Sequence, residues 1–142
     1  MYKLLLIILL LFSCTKKEGP EDVLSNFVNY RFEDNQSKAY LLERSSGDLY
    51  ERIDGMNEED LGKFLNTNFE KKKFRIVLKQ CEELKCFITY TLAYNTLKQS
   101  KPDFRVEVKK IAEVVFVDGR WKINEVNNVK AYYEGKEPIK AN

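Results

Sequence analysis

The spacing of apolar positions changes twice along the chain. It opens with an unbroken apolar run, Leu4 to Phe12, behind one basic residue, Lys3. A helix that crosses a bilayer takes roughly 20 apolar residues, so this shorter run predicts a cleaved segment instead of a span. Val23, Leu24, Phe27, Val28 and Phe32 then recur at helical spacing behind Pro20, Glu21 and Asp22. They predict a first helix, because proline suits a first turn and acids meet the positive end of the helix dipole. A second short helix is predicted over 37–44 and ends at Ser45-Ser46-Gly47, after which Asp48 caps another turn through Leu49 to Ile53. Asn57 ahead of Glu58-Glu59-Asp60 starts a further helix with Leu61, Phe64 and Leu65 on its apolar side.

After Glu70 the period falls to two. Phe74, Ile76 and Leu78 alternate with Arg75, Val77 and Lys79, as a half-buried strand requires. Cys86, Ile88, Tyr90, Leu92 and Tyr94 share one face of a long second strand that ends near Leu97, before a loop around Ser100-Lys101-Pro102-Asp103. Phe104, Val106 and Val108 alternate until Lys109-Lys110 breaks the phase, which predicts a bulge before the apolar pattern resumes over 111–117. Asp118-Gly119 predicts a two-residue hairpin turn, since such turns need residues tolerant of positive φ. Trp121, Ile123 and Val126 continue the last strand. Helices first and strands after predict an α+β fold: N-terminal helices packed on a curved antiparallel sheet of about four strands, cone-like in shape.

The quartet Leu11-Phe12-Ser13-Cys14 resembles the lipobox of bacterial lipoproteins. In such proteins the Cys receives a diacylglycerol, the preceding peptide is removed and the new amino terminus is acylated. The resemblance implies a signal peptide over 1–13, lipidation of Cys14, and a short tether over 14–19. A folded domain over 20–133 and a polar tail over 134–142 complete the organisation. It also implies a place in the cell envelope, on a bacterial membrane and facing the periplasm or the exterior. Two or more acyl chains anchor a protein stably where one does not. The polar tether from Thr15 reaches at most roughly 17 Å, so the domain sits close to its membrane, with Lys16 and Lys17 near anionic headgroups.

Cysteine usage agrees with export. The chain has three Cys, and lipidating Cys14 removes the odd one. Cys81 and Cys86 are then predicted to bridge the mouth of a four-residue loop, Glu82-Glu83-Leu84-Lys85, in an oxidising compartment. Two free thiols or a metal pair are the alternatives, although a chain without His makes two sulfurs a poor zinc site.

Formal net charge is only +2, yet it is unevenly spread. Residues 15–70 hold seven basic and thirteen acidic side chains, and residues 71–142 hold sixteen basic and nine acidic. A solvated face accounts for this, or a basic surface turned toward an anion. The run Lys71-Lys72-Lys73-Phe74-Arg75 reads as the polar start of a strand that protects a sheet edge, not as a nucleic-acid site.

The order of elements, the Pro-led first helix and the ending Val117-Asp118-Gly119-Arg120-Trp121-Lys122-Ile123 resemble the nuclear transport factor two-like and ketosteroid isomerase-like (cystatin-like) superfamily, especially its small envelope lipoproteins. The resemblance implies a pocket enclosed by the sheet and first helix, with Phe27, Tyr30, Tyr90, Tyr94 and Trp121 as its expected lining. Members use that pocket for catalysis, for ligands or for partners, so fold alone does not settle function.

The residues themselves exclude much chemistry. Without His there is no triad and no usual general base, and the glycines do not stand at phosphate-loop spacings. No catalytic residue, metal ligand or cofactor is assigned. The expectation is a membrane-anchored lipoprotein whose non-enzymatic domain binds an envelope protein or a small apolar or anionic ligand. The alternative is a pocket enzyme of isomerase-like or hydrolase-like type using a carboxylate and Tyr, for which Glu107, Glu113 and Glu125 lie on strands but at outward or edge positions.

Overall fold

The computed structural model describes residues 17–65 and 68–135. Four helices come first: α1 (Pro20–Tyr30), α2 (Lys38–Glu43), α3 (Gly47–Asp54) and α4 (Glu58–Phe64). Four strands follow: β1 (Phe69–Glu82), β2 (Lys85–Lys98), β3 (Lys101–Val117) and β4 (Arg120–Gly135). They form one antiparallel sheet in the order β1-β2-β3-β4, each strand paired with its neighbour in sequence. The signal segment, Cys14 and residues 136–142 lie outside the described residues.

The expected α+β cone requires correction in its balance of elements, although the N-terminal helices and the four antiparallel strands are there. The structure is mostly sheet, 53% strand, with a few short helices at the N-terminal end. The helices are 11, 6, 8 and 7 residues long, against strands of 14, 14, 17 and 16. The strands are longer than their apolar cores suggest. β3 takes in the segment expected to be a loop and turns at Gln99-Ser100, both at positive φ, while β4 takes in the start of the expected tail. Ladder hydrogen bonds extend a strand through charged residues such as Lys71 to Lys73, which contribute no periodic apolar signal.

Local chemistry sets the helix starts. Gly19 N–H donates to Asp22 Oδ2 (2.9 Å), Tyr40 N–H to Ser37 Oγ (3.2 Å) and Asp60 N–H to Asn57 Oδ1 (2.8 Å), which satisfies donors that a helix leaves free. Asp48 does not cap α3. That helix starts from Ser46, held at the edge of β4: Ser46 N–H donates to Ile123 O (2.9 Å) and Ile123 N–H to Arg44 O (2.8 Å). Gly47 follows at φ +49 with Asn124 pressed against it, a site where a Cβ meets both backbone strain and a neighbour.

The core lies between the helices and one face of the sheet. Val23, Leu24, Phe27 and Val28 of α1, Leu41, Leu49 and Ile53 pack on Ile88, Tyr90, Leu92, Val106, Val108, Ala112, Val114 and Ile123. Bulges adjust which residues point inward. Register slips between Ile76 and Leu78, so Val77 is the extra residue and Leu78, expected on the core face, is 52% exposed. The slip expected at Lys109-Lys110 occurs, but the extra residue is Val129 of β4. The alternation of β3 itself is unbroken, so Val106, Val108, Lys110, Ala112 and Val114 form one inward row.

Candidate functional site

That row places a lysine in the middle of the core face. Lys110 pairs in register with Tyr90 of β2 and Asn128 of β4. Two more cations reach the same place from the helices. Arg31, four residues after Phe27, caps the C-terminal end of α1, and Arg52 precedes the buried Ile53 on α3. Together Phe27, Arg31, Leu49, Arg52, Met56, Phe64, Lys110, Val126 and Asn128 line a cleft of about 360 Å³.

Its walls are held by helix ends. Arg31 Nε and Nη2 donate to Phe64 O (3.1 and 2.6 Å), satisfying a carbonyl at the C-terminus of α4, while its guanidinium lies 4.1 Å from the centre of the Phe64 ring. Lys38 Nζ donates to Asp54 O (2.6 Å) and Met56 O (3.0 Å), fixing the end of α3 and the segment after it. Among the described residues no carboxylate pairs with Arg31, Arg52 or Lys110.

Electrostatics record the crowding. Burial first, and then Arg31 and Arg52, pull the Lys110 ammonium down to about 8. Burial likewise lowers Arg31 to about 10, with nearby Tyr90 and Tyr94 opposing it. The Tyr90 phenol is pushed up to about 12 by burial, against the pull of Arg31. The site therefore concentrates positive charge beside Phe27, Leu49, Met56, Phe64 and Val126, a surface suited to an anion with an apolar body.

The five residues expected to line one pocket do not converge. Phe27 lines the cationic cleft, while Trp121 lines a separate groove at the start of α1. Tyr30 is structural: its hydroxyl accepts from Ser37 N–H (2.6 Å), and its ring stacks on Tyr40 with centroids 3.7 Å apart. The Arg44 guanidinium lies 3.6 Å from the centre of the Tyr40 ring. Tyr90 packs against Phe74, and Tyr94 against Phe32 and Phe69.

Cys81 and Cys86 face one another in register with sulfurs 2.06 Å apart, a disulfide distance. The turn they flank is tighter than expected, because Glu82 pairs with Lys85 and only Glu83-Leu84 remain unpaired. Glu113 is engaged by Lys85 (3.0 Å) and Asn124 (3.2 Å), and Glu107 lies on the outward face. The cleft thus contains neither a carboxylate nor a Tyr hydroxyl in its lining. Among the described residues there is no group of three metal-ligating side chains and no helix long and apolar enough to cross a membrane.

Sequence reasoning missed Arg31 and Lys110, both part-buried, because cations were assigned to solvent; Arg52 lines the cleft while remaining exposed. The available signal was their spacing, since each falls in step with apolar neighbours that are themselves buried.

No family model matches the chain, and no curated protein does. Among solved structures it is similar to a SEC-C motif-containing protein from Rhodopseudomonas palustris, with a TM-score of 0.57 and 16% identity over 78% of this chain and 79% of that one. It is also similar to the intermembrane-space region of the chloroplast protein ARC6, with a TM-score of 0.55 and 14% identity over 76% of this chain and 92% of that one. Likeness at this identity concerns the fold alone.

Proposed function

We propose that this chain is a lipid-anchored envelope lipoprotein whose domain binds, without chemical turnover, a small organic anion with an apolar body. The observation that carries the proposal is the cleft in which Arg31, Arg52 and Lys110 meet beside apolar walls with no acid to pair them. Leaving three like charges around one concavity costs folding free energy, and a bound carboxylate or sulfonate offsets that cost while apolar contacts hold its body. The lipobox-like quartet ending at Cys14 supports the anchor. The resemblance to small envelope lipoproteins of the nuclear transport factor two-like superfamily belongs to the same proposal, as does exposure to the periplasm or the exterior. Mass spectrometry of protein taken from its native membrane tests both halves. The expected result is acylated Cys14 together with a retained organic acid that is released by Lys110→Met. An unmodified Cys14 contradicts the anchor, and an empty protein whose cleft takes up no carboxylate probe contradicts the ligand.

A further inference from the structure

The end of the sheet nearest the tether has a surface of its own. Lys17, Gly19, Val23, Phe116, Arg120 and Trp121 border a groove of about 350 Å³. Phe116 meets Trp121 edge-on with ring centroids 5.4 Å apart. The two hairpin tips at this end are joined, because Phe116 N–H donates to Leu84 O (2.7 Å), and both present apolar side chains to solvent: Leu84 is 60% exposed and Val117 38%. Basic Lys85 and Arg120 stand among them, but so do Glu82 and Glu83, so the end is amphipathic without being strongly cationic.

Lys17 is only three residues beyond Cys14, a reach of at most roughly 11 Å. An acylated Cys14 therefore leaves this end no room to stand away from the bilayer. We propose that Leu84, Val117 and Trp121 dock this end on the headgroup boundary of the membrane that holds Cys14. The proposal rests on the lipid-anchor reading. Trp and short apolar side chains suit that boundary, where one side is apolar and the other wet. The cationic cleft then lies at the other end of α1, about 16 Å along the helix from Pro20 to Arg31.

Trp121 is the only Trp in the chain and serves as the probe. The mature acylated protein is reconstituted in vesicles of phosphatidylethanolamine and phosphatidylglycerol, with and without lipids brominated near the headgroup, and floated on a density gradient. The expected result is flotation with blue-shifted Trp121 emission, quenched by the brominated lipid. The double variant Leu84→Glu, Val117→Glu changes only exposed positions and should float while losing that quenching. Flotation with unshifted, unquenched emission overturns docking and leaves the anchor standing. Quenching that survives the double variant assigns proximity to the tether alone and also overturns the docking surface. Failure to float overturns the anchor and the docking together.

Discussion

A lysine on the inward row of a sheet is costly, and Lys110 shares its cleft with two arginines that make it costlier. Its folded-state pKa, about 8, lies below the ordinary 10.5. At pH 7 both folded and unfolded chains hold the proton, and the folded state bears the cost of the buried charge. Between pH 8 and 10.5 the unfolded chain keeps a proton that the folded chain has released, so stability rises with pH. Arg31 adds to this rise only above about 10. Lys110→Met is accordingly expected to raise the melting temperature at pH 7 and to flatten its climb above pH 8, read by thermal unfolding across that range. A melting temperature that falls, or a climb that persists unchanged, contradicts the assignment. The anion affinity proposed above is expected to have the opposite slope. An anion prefers the charged ammonium, so its affinity weakens as pH rises through about 8, measurable by titration at pH 7 and pH 9.5.

At the scale of elements, α3 is the piece most exposed to single substitutions. Gly47 sits at positive φ against Asn124, itself the extra residue where β3 and β4 slip between Glu113 and Val114. Gly47→Ala is expected to destabilise the fold by roughly 2 kcal/mol through strain and crowding together. Asn124→Ala in the same chain should recover the part due to crowding and leave about 1 kcal/mol of backbone cost. Denaturant unfolding of the two single variants and the double variant separates these contributions, and strictly additive losses would contradict the contact. Lys38→Met should cost about 1 kcal/mol by freeing the carbonyls of Asp54 and Met56, with a weaker cleft as its functional trace.

These elements also show what could be read in the sequence. The Asn57 start of α4, the Pro20 start of α1 and the Asp118-Gly119 turn were legible, because each depends on chemistry within four residues of chain. Leu78 was not, since a bulge opposite β2 turns it outward and a bulge is decided by pairing. The extent of β3 and β4 was not, because their ends are charged and owe their form to the neighbouring strand. Lys110 was legible only by trusting the parity of β3 over the expectation that charge seeks water.

Across the whole molecule, the disulfide-distance pair sits at a hairpin tip away from the cleft, with Cys86 buried in the core and Cys81 exposed. In the chain-entropy account a link across so short a loop contributes about 2 kcal/mol. Reduction should therefore lower stability by that amount and leave the cleft's affinity intact, as unfolding and binding measured with and without reductant will show; loss of binding on reduction would mean the tip supports the cleft. On the proposed reading, anchor, sheet and cleft make one device: a short tether would fix one end of the sheet at a membrane, and the cationic cleft would bind its anion away from that end. The most direct test compares decanoate with decanol by calorimetric titration into the Cys14→Ala chain, free of lipid, and into the same chain carrying Lys110→Met and Arg52→Gln. The account predicts that decanoate binds at least about tenfold more tightly than decanol and that the two substitutions abolish the difference. Equal affinities for acid and alcohol, or a preference untouched by removing both charges, would contradict it.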